Sequence, residues 1–140
     1  MVIGTADETG TPWVSPVYYS SARYTEFYWI SSPEARHSHN LAVRPQVSIV
    51  FFDSQVLAGT SQAVYMSAIA EEVVGVDLDQ GVAAYNERFA NPAERGVRVI
   101  KPEELLPPAG YRLYRATALE QWILDPTSGR TGDHRIRVRV

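Results

Sequence analysis

The chain has 140 residues, 45% of them hydrophobic and 21% charged, and a net charge of −3. That is the composition of an ordinary soluble domain with a sizeable core, and its charge gives no reason to expect nucleic acid or an acidic membrane as partner. It has no cysteine, which excludes disulfides, thiolate chemistry and Cys-bound metals; no signal peptide is visible at its start, and no apolar run reaches the ~18 residues a membrane span needs.

A single domain over 1–140, cytoplasmic by default, is the expectation. The sequence begins almost directly on a strand, which leaves room for a natural segment before Met1. Val2 to Ala6 and Thr11 to Tyr19 read as strands flanking the turn cluster Asp7-Glu8-Thr9-Gly10, a hairpin. Ser20 to Tyr24 reads as a second turn leading to the strand Thr25 to Ile30. Glu34 to Val43 reads as a short helix, with Pro33 at its first turn and Pro45 just past its end. Gln46 to Asp53 is a strand, Ser54 to Thr60 a loop, and Ser61 to Val74 a long strand. The period then changes. Leu78, Val82, Tyr85 and Phe89 stand at helical spacing within Asp77 to Asn91. A proline-rich stretch follows with one turn at Glu103-Glu104-Leu105, and Tyr111 to Leu124 returns to strand. His134 to Val140 alternates, with Arg135, Arg137 and Arg139 on one face. The pattern predicts a mainly β (α+β) fold: a six- to seven-stranded antiparallel split barrel with a short early helix and a later helical excursion.

The chemistry concentrates between Glu26 and Phe52. An aromatic strand ends at Ser31-Ser32, and Arg36 and His37 stand at the start of the following helix. Hydroxyls, free N–H groups of a helix start and a guanidinium that can fork two oxygens are the donors that hold a phosphate. Taken alone, the same residues suit a solvated surface turn. His37 and His39 sit two apart with no third ligand nearby, so no metal is expected. Glu71 and Glu72 point to opposite faces of a strand and do not form an acid–base pair. Trp13, Tyr18, Tyr19, Phe27, Tyr28 and Trp29 read mostly as core. No catalytic side chain is legible.

Five stretches in order resemble the flavin-binding split barrels related to pyridoxamine 5′-phosphate oxidase. GTPWVSPVYY (10–19) resembles the early strand whose backbone lines the flavin ring. FYWISSPEARHSHNL (27–41) resembles the strand, phosphate turn and helix, with Ala35-Arg36-His37 in place of a Ser-Arg-Lys-type triplet. RPQVSIVFFD (44–53) and SQAVYMSAIAEEV (61–73) resemble two further strands, the second opening with a cofactor-contacting Gln, here Gln62. ALEQWIL (118–124) resembles the late strand whose Trp, here Trp122, reaches a cofactor bound mostly by the other subunit.

The resemblance implies a homodimer holding FMN at its interface and transferring hydride to or from a small apolar or quinone-like substrate. It implies cofactor contacts from Val14, Ser15, Pro16, Val17, Ile30, Ser31, Ser32, Arg36, His37, Gln62, Trp122 and Arg135. Arg36 and the serines would hold the phosphate, and His37 would add a donor or a pH-dependent charge. The chain departs from the B6 oxidases in having no cation from Trp13 to Tyr19 and no clean C-terminal Arg/His motif; Arg130, His134 and Arg135 are only loosely placed. Relatives that bind F420 make an F420 reductase an alternative, with Arg135, Arg137 and Arg139 forming a basic groove for its acidic tail. A non-catalytic flavin or haem carrier is a third reading.

Overall fold

In the computed structural model, residues 1–53, 55–57, 62–90, 98–124 and 137–139 are described. The strands are β1 (Val2–Ala6), β2 (Pro12–Pro16), β3 (Ser20–Ala22), β4 (Glu26–Ser31), β5 (Gln46–Phe52), β6 (Ala63–Glu72), β7 (Arg112–Leu124) and β8 (Arg137–Arg139). The helices are α1 (Arg36–Val43) and α2 (Leu78–Asn86). All strand pairs are antiparallel, in the order β2-β1-β5-β6-β7-β4-β3, with β8 also on β7.

The two edge strands, β2 and β3, are consecutive in sequence and joined only by Val17, Tyr18 and Tyr19. A link that short spans at most about 14 Å, so the sheet curls until its edges nearly meet. The long strand β7 carries the split. Its first half pairs with β4 over Arg112–Thr117, its end pairs with β8 over Trp122–Leu124, and it runs along β6 with a register shift at Ser67/Ala68. The result is the mainly β split barrel that the pattern predicts.

Ile3, Phe27, Trp29, Ile49, Met66, Tyr114 and Ala116 fill the barrel, and Leu41 of α1 joins them. The Asn40 side-chain amide donates to Thr5 Oγ1 at 3.0 Å, tying α1 to β1. On the other face of β4 and β7, Tyr28 and Leu113 pack against Leu78, Val82 and Tyr85 of α2 and Leu105. β4 is thus buried on both faces, which is why its sequence runs aromatic without polar alternation. The Pro102–Leu105 turn forms where the sequence places it.

Several expectations change. Ser20–Ala22 is a strand, not part of a turn; its pairing with Tyr28, Phe27 and Glu26 is imposed by the barrel, which short polar residues do not announce. The predicted strand Thr11 to Tyr19 stops at Pro16, where the chain leaves the edge to cross to β3. α2 ends at Asn86 and continues only as a 3-10 turn, Glu87–Ala90. Of the terminal strand, Arg137–Arg139 is described; Arg130, His134 and Arg135 lie outside the described residues. Phe27, Tyr28 and Trp29 are core, but Trp13 and Tyr18 are exposed.

The turn joining β3 to β4 holds Arg23 and Tyr24 at φ of 54° and 57°. These are the left-handed values a hairpin turn requires, met here by side chains that pay a Cβ penalty where Asn-Gly would not. Replacing Arg23-Tyr24 by Asn-Gly is expected to raise stability by about 1 kcal/mol or more, read as a higher denaturant midpoint at unchanged slope. The Arg23–Glu26 pair lost in the exchange is solvent-exposed on the arginine side and contributes little.

Candidate functional site: the free edge of β2 and the start of α1

The β1–β2 hairpin fixes which backbone groups of β2 are free. The Asp7 N–H donates to the Thr11 carbonyl at 3.1 Å and the Val17 N–H to the Met1 carbonyl at 3.0 Å. Antiparallel alternation then makes Ile3/Ser15 and Thr5/Trp13 the bonded pairs between them. The backbones of Pro12, Val14 and Pro16 therefore face away from β1. Two of these are prolines without an N–H, so within β2 the free edge carries a single donor, the Val14 amide. Prolines at the other two positions also guard the edge against adding a foreign strand.

The turn that closes the hairpin is held by Asp7, whose carboxylate accepts from the Thr9 N–H, the Thr9 hydroxyl and the Thr11 N–H. The Thr9 hydroxyl is the main reason its carboxyl lies below the usual range. Asp7 also lies 3.9 Å from the Arg36 guanidinium, which stacks on the Trp13 ring with its central carbon 4.5 Å from the centroid. Arg36 is thus parked at the β2 edge, half exposed.

α1 begins beside this edge. Its N-cap position is Ala35, with no side-chain cap and no acidic residue in the first turn. The first-turn amides, with their partial positive charge, are left to other acceptors. Ser32 does not cap α1 with its side chain: its hydroxyl accepts from the Glu34 N–H at 3.2 Å, and its carbonyl accepts from the Ser38 hydroxyl at 2.7 Å.

His37 is placed differently from the role the resemblance implies. It is buried, with Nε2 2.8 Å from the Ser31 hydroxyl and Nδ1 3.1 Å from the Ser15 hydroxyl. Burial holds its pKa below the ordinary histidine value and so favours the neutral ring. Both nitrogens are engaged inside the protein. The sequence signal for this was Ser15, two residues after exposed Trp13 on the same face of β2, but nothing local links it to His37.

At the other end of β2 a cleft of about 880 Å³ opens, lined among others by Pro16, Val17, Tyr19, Phe51, Gln62 and Arg88. The Tyr19, Phe27 and Phe51 rings meet one another there at tilted angles, with Tyr19–Phe51 edge-on at 5.0 Å. Arg88 donates to the Tyr19 carbonyl at 2.7 Å and lies over the Tyr18 and Tyr19 rings. Its size and mixed lining suit a flat organic molecule.

The structure therefore brings Val14, Ser15, Pro16, Val17, Ser31, Ser32, Arg36 and His37 together along β2 and α1, and sets Gln62 in the adjoining cleft. Ile30 is half-buried beside Ser31. Trp122 stands on β7 opposite Tyr65 and Arg139, in the split half of the sheet and away from α1. Arg135 lies outside the described residues.

The family described as pyridoxamine 5′-phosphate oxidase matches residues 1–109. The chain belongs to this family. No curated protein matches the sequence. Among solved structures, HutZ, the heme storage protein from Vibrio cholerae, is 24% identical with a TM-score of 0.63, over 84% of this chain and 79% of that one. A heme binding protein from Mycobacterium smegmatis is 19% identical with a TM-score of 0.69; 99% of this chain is covered, but only 51% of that protein's length. An F420 reductase is 12% identical with a TM-score of 0.57, over 86% of both chains. At these identities the likeness is one of fold. The pyridoxamine 5′-phosphate oxidase-like fold is one that carries flavins, F420 or haem.

Proposed function

We propose that this member of the family is a homodimeric, FMN-dependent oxidoreductase. The observation that carries the reading is the line formed by an uncapped helix start with Arg36, a single free N–H at Val14, and a cleft at the end of the same strand. The first turn of α1, Arg36 once it leaves Trp13 and Asp7, and the neighbouring Ser31 and Ser32 would hold the cofactor phosphate. The free Val14 N–H on the β2 edge would donate to the ring system, and Gln62 in the cleft would add a polar contact. FMN supplies the hydride chemistry when bound. The chain's own part is to bind, orient and exclude water. The substrate is apolar or quinone-like, since the cleft is walled by Tyr19, Phe51 and aliphatic side chains. Pyridoxamine 5′-phosphate is not expected to turn over, because β2 and its link to β3 carry no cation from Trp13 to Tyr19 to hold a second phosphate.

Val14→Pro tests the reading. Val14 occupies a non-bonded position of the ladder, so proline there removes no β1–β2 hydrogen bond. The expected result is a fold of similar denaturant midpoint that binds FMN about 3- to 10-fold more weakly, the worth of one neutral hydrogen bond. Unchanged affinity contradicts the placement of the ring.

Homodimerism rests on the same edge. Trp13, Val14 and Tyr18 are exposed at 41%, 61% and 81% around the proposed cofactor. A second subunit laid over them covers both. Light scattering at micromolar concentration is expected to give twice the mass of the chain; a monomer contradicts it.

An F420-binding reductase, or a non-catalytic flavin or haem carrier, is the second reading. Arg36 and the ionised Asp7 beside it carry no net charge together, which suits a singly charged carboxylate or phosphodiester at least as well as a phosphate dianion.

A further inference from the structure

We propose that His37 is a positioning residue: a neutral strut between Ser15 on β2 and Ser31 at the end of β4 that sets the width of the groove between the β2 edge and the start of α1. Its role in positioning rests on the flavin reading, whereas the strut itself does not.

The geometry is specific. β2 is an edge strand with one hydrogen-bonded neighbour, β1. Among the described residues, the side-chain bond that fastens its centre on the α1 side is the one between Ser15 and His37. His37 sits in the first turn of α1, one residue after Arg36, and its other nitrogen grips Ser31, the last residue of β4. One imidazole thus fixes three elements whose mutual spacing defines the groove. A neutral ring can do this because it donates from one nitrogen and accepts at the other, with each serine hydroxyl turning to match. A lysine at this position would have only donors and a charge that burial opposes.

Around α1, Asp7 lies beside Arg36, Glu34 beside the His39 ring and Glu72 at the end of β6 beside Arg112 on β7, while Arg44 donates to the Asp7 and Glu8 carbonyls. None of them contributes to the lowered pKa of His37, whose cause is burial. The sign of the pH effect follows. With the folded pKa below the unfolded value of about 6.5, the unfolded chain takes up a proton first. The stability His37 contributes is present above that pH and is lost as pH falls toward the depressed folded value.

The experiment compares the wild type with His37→Gln, His37→Lys and Ser15→Ala. Urea midpoints are measured at pH 7.5 and pH 5, and FMN affinity by quenching of flavin fluorescence at pH 7.5. The strut predicts that His37→Gln lowers the midpoint at pH 7.5 and removes part of the wild type's drop between the two pH values. It predicts that Ser15→Ala weakens FMN binding several-fold although its hydroxyl faces His37 and not the free edge. It predicts no gain in affinity for His37→Lys. Equal pH dependence of wild type and His37→Gln overturns the strut. Tighter FMN binding by His37→Lys, with Ser15→Ala unchanged, overturns the positioning role and returns the residue to the phosphate. A wild type that binds no FMN fails the proposed function, while the urea comparison still decides the strut.

Discussion

Arg36→Ala is expected to weaken FMN binding by about 10-fold or more, while Arg23→Ala leaves it unchanged. Both arginines are exposed and lie beside a carboxylate, so the two variants remove similar charges. They differ in where the charge stands. Arg36 opens the uncapped first turn of α1 and lies over Trp13 at the edge of β2. Arg23 sits in the β3–β4 turn and belongs to no part of the groove. A charge-assisted hydrogen bond contributes about 1.5–3 kcal/mol, or roughly 10- to 150-fold in affinity. Arg36 must leave Trp13 and Asp7 to reach a ligand, which places the expected loss toward the lower end. Fluorescence titration of the two variants checks this, and equal affinities remove Arg36 from the site.

Trp29→Ala is expected to cost about 3–5 kcal/mol of stability, enough to unfold much of a marginal domain. Trp29 has 0% exposure, stands at the centre of the barrel cluster, and stacks on Tyr114 at 5.6 Å and 19°. Trp29→Phe is expected to cost far less, because the indole N–H finds no acceptor among the described residues. Removing that orphan donor relieves a desolvation penalty of about 1–3 kcal/mol and offsets part of the lost packing. Urea denaturation of the two variants reads the difference; a phenylalanine variant as damaged as the alanine one means that the indole N–H is satisfied.

The parts of the fold legible in the sequence are those with a local cause. Asp7 to Gly10 marks a hairpin because the Asp7 carboxylate gathers nearby donors and Gly10 takes a φ of 88°. Leu78, Val82 and Tyr85 mark α2 because one helix face must be apolar. The illegible parts have distant causes. Ser20–Ala22 becomes a strand because β4 offers it an edge. Trp13 and Tyr18 have the composition of core residues, yet they flank the site where the curled sheet leaves its edges unpaired. For the candidate site, the position of Arg36 at a helix start was legible from spacing, since α1 forms close to where its prolines place it. The inward turn of His37 was not, because its partner Ser15 is 22 residues away and meets it only when the barrel closes.

The central claim is that the groove along β2 holds FMN. The most direct test is mass spectrometry of the small molecules released on denaturing the purified protein, after incubation with an equimolar mixture of FMN, F420 and haem and removal of unbound material. The account predicts FMN, at one molecule per chain. Retention of haem or F420 with FMN absent contradicts it.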